Sequence, residues 1–283
     1  MNEVPTVKSL ISPDFLADLL YEEYGFDPPI DCRLVKTGDN DTYKITSNGE
    51  YFSLRISRPN RAHIKSDDEL LFELEWLQFL WKKGTPVIIP LARSNGDLFS
   101  IISAPEGARY AVVFSWAKGE NVLDVYQARI FGKTIAKLHI VSNQFSSRRK
   151  RIHYDIPTLT GQGLSYLISF LKKRRPDDAK FVIDCANKAK GQVESLSPKG
   201  DEWGIIHGDL TEWNHSFTND DLITLYDFDL CGYGWRAYDI SSTYLCTGDA
   251  DQWPAFLDGY ESTRPLTYTE RSTIPAFRIL TLL

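Results

Sequence analysis

The spacing of apolar residues changes period several times along the chain, and each change predicts an element. Over 12–24, Phe15, Leu16, Leu19 and Leu20 recur on one helical face, with Ser12 at the N-cap, Pro13 at the first helical position and Gly25 as the stop. Arg33-Leu34-Val35 and Thr42-Tyr43-Lys44-Ile45 predict a β-hairpin turning through Thr37-Gly38-Asp39-Asn40-Asp41, and 51–57 predicts a third strand. A stripe of Leu70, Leu71, Leu74, Leu77, Phe79 and Leu80 predicts a helix over 67–83, with Lys82 and Lys83 in its last turn before Gly84. Residues 86–90 and 98–103 predict strands flanking the turn Ser94-Asn95-Gly96-Asp97, and 110–114 predicts a buried strand running into Ser115-Trp116-Ala117. Helical spacing then dominates, at 124–140, 164–171, 177–196, 239–246, 251–262 and 267–281, broken by short apolar runs at Ile205-Ile206 and Leu222-Ile223-Thr224-Leu225. The last helical pattern is still apolar at Leu282-Leu283, as if the helix continued. The order of elements predicts an α+β chain, β-rich at first and mainly helical afterwards.

Composition narrows the class. With 283 residues, 42% hydrophobic and 25% charged, the chain reads as a soluble globular protein of one large domain or two lobes. A net charge of −6 lacks the footprint of a general nucleic-acid binder. No apolar run reaches membrane-spanning length, and Met-Asn-Glu-Val-Pro-Thr carries no secretory signal, so no membrane partner and a cytoplasmic location are expected. Cys32, Cys185, Cys231 and Cys246 are scattered without Cys-x-x-Cys spacing, which predicts free thiols and no zinc site. Charge is distributed unevenly. Residues 141–200 hold twelve Lys or Arg against five acids, in runs such as Arg148-Arg149-Lys150-Arg151 and Lys172-Lys173-Arg174-Arg175, read as solvated faces with a protein contact as the alternative. Residues 201–270 hold fourteen acids and two basic residues, Arg236 and Arg264.

The two apolar runs in that acidic region each end in chemistry. The first continues as His207-Gly208-Asp209-Leu210-Thr211-Glu212-Trp213-Asn214, the second as Tyr226-Asp227-Phe228-Asp229. An aspartate, an asparagine five residues later and an aspartate thirteen residues beyond that are what phosphoryl transfer from a nucleotide requires. One carboxylate orients or accepts the proton of the attacking hydroxyl, while an amide and a second carboxylate hold Mg²⁺ on the triphosphate. Asp229, two residues after Asp227 on a strand-like segment, is expected to face the same side.

On these residues the chain resembles the aminoglycoside phosphotransferase family and its relatives, the choline, homoserine and fructosamine kinases. The resemblance implies a two-lobed protein kinase-like fold of class α+β, with a small β-rich nucleotide-binding N-lobe over 1–115 and a mainly helical catalytic and substrate-binding C-lobe over 116–283. It implies Asp209 as catalytic base and Asn214 and Asp227 as metal ligands. The loop with Gly38 and Asn40 would cover the nucleotide, and Arg55, where kinases place a lysine, would bind phosphates while paired to Glu73. Backbone at Ser115, Trp116 and Ala117 would meet the adenine. Asp239 would brace the catalytic loop, with His207 packed beneath it and His139 structural. The implied activity is that of an ATP- or GTP-dependent, Mg²⁺-dependent kinase with a small-molecule hydroxyl as acceptor. The acidic 201–270 region and its aromatic residues suit a cationic acceptor of aminoglycoside, choline or homoserine type. Two alternatives stand beside it. One is a protein Ser/Thr kinase of the bacterial stress-response type, docking its protein substrate on 148–175. The other is a nucleotide-binding pseudokinase, suggested by Arg55 and opposed by the intact Asp209, Asn214 and Asp227. Thr211-Glu212-Trp213 stands where relatives often have His-Pro-Gly, which leaves the acceptor open.

Overall fold

Pro13 and Gly25 bracket the first helix as the sequence predicts, and the computed structural model describes residues 6–59, 66–194, 196–197, 200–211, 213–245, 247 and 251–282. Helix α1 (Pro13–Tyr24) closes on Gly25 at φ 69°, whose N–H bonds to the Leu20 and Tyr21 carbonyls. Leu16, Leu19 and Leu20 are buried, but Phe15, at the edge of the same arc, is 47% exposed. Five strands form one antiparallel sheet: β1 (Ile30–Lys36), β2 (Asn40–Ser47), β3 (Glu50–Ser57), β4 (Ser100–Ala104) and β5 (Gly107–Ser115), in the order β1-β2-β3-β5-β4. Asn48 and Gly49 make the two-residue turn between β2 and β3, both with positive φ, as the twist of a tight hairpin requires. The α1 leucines pack on Cys32, Tyr43, Ile45, Leu54, Ile56, Ile102, Ala111 and Val113 of this sheet. Helix α2 (Asp67–Lys82) buries Leu70, Phe72, Leu74, Trp76, Leu77 and Leu80, and also Glu73.

The run 86–90 is not a strand. Its pairing consists of isolated bridges, such as that between Pro90 and Phe114, and of separate bonds such as Ser115 N–H to the Ile89 carbonyl, 2.9 Å, without a continuous ladder. Pro86 and Pro90 lack the N–H that a ladder needs. A buried charge network also lies in this part of the chain: Arg109 meets Asp41 at 2.6 Å and donates to the Ser57 carbonyl at 2.7 Å.

By contacts the chain divides into two compact units, 1–81 with 87–117, and 82–86 with 118–283. The second unit begins with α3 (Val125–Ser142), started by a capping box between Asp124 and Gln127. Then come α4 (Ile156–Leu159), α5 (Gln162–Arg174) and α6 (Pro176–Val193). Two ribbons follow, β6 (Trp203–Ile206) with β9 (Gly232–Trp235), and β7 (His215–Phe217) with β8 (Ile223–Leu225). Helices α7 (Arg236–Ser242), α8 (Gln252–Glu261) and α9 (Tyr268–Leu280) complete the unit. The helix predicted over 239–246 therefore starts at Arg236 and ends in a 3-10 turn at Thr243–Leu245, and Cys246 lies outside the described residues. Helices α3 and α8 approach backbone to backbone: a Cβ at Gly132 would sit 1.9 Å from the Phe256 carbonyl oxygen, and one at Gly259 2.0 Å from that of Arg129. Among the described residues no helix is long and apolar enough to cross a membrane.

The basic runs separate on inspection. Lys172, Lys173, Arg174 and Arg175 are exposed as expected. Arg151 is not on a solvated face: it is buried, and its guanidinium donates to the backbone carbonyls of Asp229 and Cys231.

Candidate active site

Strand β6 ends at Ile206, and the chain turns through Gly208 at φ 85°, where a Cβ would lie 2.3 Å from the Leu230 carbonyl oxygen. Only glycine fits that turn. The N–H groups of His207 and Gly208 each donate to the Asp239 carboxylate at 2.8 Å. Asp239 lies fully buried on α7 and also meets His139 Nε2 at 3.1 Å. Burial alone would raise its pKa, but the His139 hydrogen bond, the nearby imidazoles and the Gly208 N–H outweigh burial and hold it below the usual carboxylate value. Burial, and then the Arg236 cation, push His139 down to about 3, so its ring is neutral near pH 7.

His207 is engaged at both nitrogens. Nδ1 accepts the Asp209 N–H at 3.3 Å, so Nε2 carries the proton and donates to the Tyr226 carbonyl at 3.1 Å. Its ring lies 4.3 Å from that of Phe228. His207 therefore ties the two halves of the motif together beneath the loop.

Asp209 is half-buried. The Asn214 amide NH₂ donates to both its carbonyl and its carboxylate Oδ2, each at 2.8 Å. The Thr211 N–H returns to the Asp209 carbonyl at 2.9 Å, and the Asn214 N–H to that of Thr211 at 3.2 Å, so the loop is internally fixed. Strands β7 and β8 pair His215 with Leu225, and the Tyr226 N–H reaches the Asn214 carbonyl at 3.0 Å. That bond extends the ribbon by one residue and brings Asp227 up beside Asn214. Asp227 adopts the left-handed conformation, φ 63° and ψ 58°, which a non-glycine residue reaches at about 1–2 kcal/mol. A 3-10 turn at Phe228–Leu230 follows in place of a strand, so Asp229 does not share a strand face with Asp227 and its side chain is buried. Arg151, with the Tyr154 hydroxyl bonded to the Leu230 carbonyl, pins this segment from behind. Nothing local in the sequence marks that clamp, because Arg151 is hidden in a run of four basic residues.

In the first unit Arg55 and Glu73 form a bidentate, buried ion pair, 2.7 and 2.9 Å, with the Arg55 guanidinium 4.9 Å from the Phe114 ring. Asn40 pairs with Ser57, two residues along β3 from Arg55, and Ser115 with Phe52, three residues the other way. Gly38 offers its carbonyl to Lys8 Nζ at 2.8 Å, and a Cβ there would make only ordinary contact, 3.9 Å to the Asn40 oxygen. The Ser115 N–H is engaged with Ile89, and its hydroxyl accepts the Ile89 N–H at 3.0 Å. Trp116 and Ala117 follow β5 as irregular chain. The structure thus joins Asp209 to Asn214, brings the Asp227 backbone next to the Asn214 ribbon through Tyr226, pairs Arg55 with Glu73, and sets Asn40 and Ser115 along the same sheet as Arg55, with Gly38 in the turn before β2.

The family model of the phosphotransferase enzyme family matches residues 32–271. The chain belongs to this family. An uncharacterized protein of Synechocystis sp. is 33% identical over 96% of this chain and 76% of its own length. The amicoumacin kinase of Bacillus subtilis is 26% identical over 77% of this chain, which spans 63% of that enzyme. Among solved structures, an amicoumacin kinase in complex with AMP-PNP and Ca²⁺ matches with TM-score 0.78, 22% identity, and coverage of 95% of this chain and 83% of that one. A microcompartment-associated aminopropanol kinase matches with TM-score 0.75, 22% identity, and coverage of 95% and 86%. These likenesses carry the protein kinase-like fold: an antiparallel-sheet N-lobe and a helical C-lobe.

As a phosphotransferase the chain needs a cation at its phosphates, and the donor set suits one. Asn214 directs its NH₂ at Asp209, which leaves its amide oxygen as the atom on offer, and Asp227 follows directly after Tyr226, whose N–H bonds to the Asn214 carbonyl. Two hard oxygen donors from neighbouring strand ends fit Mg²⁺, which is ordinarily held by one or two protein groups and completed by phosphate oxygens and water. Among the described residues no group of three or more His, Cys, Asp or Glu forms a metal cage of its own.

Proposed function

We propose that this phosphotransferase moves the γ-phosphate of ATP or GTP, with Mg²⁺, to a hydroxyl of a small cationic molecule. The observation that carries the reading is the Asp209–Asn214 pair, held on a loop whose backbone is bonded to a buried, ionised Asp239. Asp209 orients the acceptor hydroxyl and takes its proton as the bond to phosphorus forms. Asn214 fixes the Asp209 carboxylate and, with Asp227, supplies oxygen ligands. The metal, when bound, neutralises charge on the phosphate oxygens. In the first unit Arg55, steadied by Glu73, binds phosphate oxygens through its planar fork. Backbone around Gly38 and Asn40 covers the nucleotide, and backbone of Trp116 and Ala117, with the Ser115 carbonyl, meets the base.

The acceptor class rests on charge. In 201–270 the only two basic residues, Arg236 and Arg264, are buried and bonded inside the fold, so neither faces an anionic acceptor. The amicoumacin and aminopropanol kinases support a small-molecule acceptor, and aminopropanol joins an amine to a hydroxyl. The burial of Arg151 weakens the protein-docking reading, and the intact Arg55–Glu73 pair weakens the pseudokinase reading.

The test is nucleotide turnover with ATP and GTP separately, with Mg²⁺, against aminopropanol, homoserine, choline, an aminoglycoside, a neutral polyol, a sugar phosphate and a generic protein. Turnover stimulated by amine-bearing alcohols is the expected result. Stimulation confined to the polyol, the sugar phosphate or the protein would overturn the acceptor class.

A further inference from the structure

The polar groups behind the catalytic loop do not end at Asp239. His139 Nε2 meets Asp239 Oδ2 at 3.1 Å, and His139 Nδ1 meets the Tyr260 hydroxyl on α8 at 2.8 Å. That hydroxyl receives Nη1 of Arg264 at 3.1 Å. Arg264 in turn reaches Glu270 Oε1 at 2.7 Å and the Asp201 carbonyl at 2.6 Å. Glu270 belongs to the capping box that starts α9, where its carboxylate accepts the Thr267 N–H and its own N–H donates to Thr267 Oγ1, both at 3.0 Å. His139, Asp239 and Tyr260 are fully buried, and Arg264 is 8% exposed.

The chemistry of the two ends fixes every proton in this row. Arginine only donates, and an ionised aspartate only accepts. Arg264 therefore donates to the Tyr260 oxygen, the Tyr260 proton points at His139 Nδ1, and His139 carries its own proton on Nε2, aimed at Asp239. All donors run one way, from the start of α9 to the carboxylate that holds His207 and Gly208. Hydrogen bonds aligned in this manner polarise and strengthen one another in a low-dielectric interior.

We propose that Tyr260 and Arg264 are positioning residues for phosphoryl transfer, fixing through His139 and Asp239 the pose of the loop that carries Asp209. Neither touches the reacting atoms, and the proposal rests on the reading of Asp209 as the base. Glycines make the approach possible: with side chains at Gly132 and Gly259, α3 and α8 could not come close enough to bring Tyr260 to His139.

The decisive variant is Tyr260→Phe, which keeps the ring against His139 (centroids 5.7 Å apart) and removes only the hydroxyl. The expected result is a kcat about tenfold lower with KM for nucleotide and acceptor unchanged, the scale of one hydrogen bond. Alongside it, the His207 and Gly208 amides and the His139 Nε2 proton should shift in NMR spectra and exchange faster with solvent. Arg264→Lys keeps the charge beside Glu270 but loses the bond to Tyr260, and should move the same amides by less. It also serves if Tyr260→Phe fails to fold. Amide signals perturbed only around α8 and α9, with His207 and Gly208 at their wild-type positions, would overturn the proposal, as would a loss confined to KM. The NMR arm needs no substrate. Should no acceptor be turned over by the wild type, it alone decides this proposal, separately from the fate of the functional reading.

Discussion

Replacing Asp239 by asparagine tests how the catalytic loop is held. The wild-type carboxylate receives three donors, the N–H groups of His207 and Gly208 and the imidazole Nε2–H of His139. Bonds of this kind to an ionised acceptor contribute about 1.5–3 kcal/mol each. The His207 N–H and the His139 Nε2–H share Oδ2, and the Gly208 N–H takes Oδ1. An asparagine whose oxygen takes the Oδ2 place keeps the first two and turns its NH₂ toward the Gly208 N–H. One bond to an ionised acceptor is lost, a deficit of about 1.5–3 kcal/mol. That is a sizeable share of a total stability of about 5–15 kcal/mol. Urea unfolding, with hydrogen exchange at His207 and Gly208, measures it. A lowered midpoint and a less protected Gly208 amide are expected. An Asp239→Asn protein with the wild-type midpoint and wild-type protection of both amides would refute the bracing account.

Arg55→Ala strands a wholly buried Glu73 and should destabilise the first unit by about 3–5 kcal/mol, whereas Arg55→Ala with Glu73→Leu should recover most of it, both read by calorimetry. Acidification tests the buried histidines. Burial is the main cause that holds His139 at about 3 and His215 at about 4, while unfolded imidazoles take up protons near 6.5. The unfolded state therefore binds more protons below about pH 6.5, and stability falls as pH drops from there toward the folded values. Between pH 7.5 and pH 5 each histidine should remove about 2 kcal/mol, read as a lower urea midpoint; imidazole signals of His139 and His215 titrating near 6.5 in the folded protein would contradict this. Asp239, held below the usual carboxylate value, contributes stability above about pH 3.9 and loses it only as pH falls through its lower folded value, so it should not add to that window.

The sequence was most legible where local rules act alone. Pro13 and Gly25 bound a helix, and the two apolar runs ending in Asp209 and Asp227 specify strands that deliver them. It was least legible where tertiary geometry decides. The apolar content of 86–90 suggested a strand, but two prolines deny it a ladder. Strand alternation puts Asp229 on the same face as Asp227, but a left-handed residue and a 3-10 turn change the period. Arg151 was indistinguishable from its solvated neighbours, since nothing local records that carbonyls of 229 and 231 await it. The Arg109–Asp41 pair joins residues 68 apart, and neither its partners nor its burial is written in either segment.

In the proposed function Asp209 is the group that prepares an acceptor hydroxyl for attack on a nucleotide phosphate. Acceptor-stimulated turnover of Asp209→Asn against wild type, measured with nucleotide binding on the same samples, tests that role. A fall of about 10²–10⁴-fold in kcat with nucleotide affinity retained is expected. Turnover by Asp209→Asn at the wild-type rate, or a wild-type protein that binds neither ATP nor GTP with Mg²⁺, would contradict it.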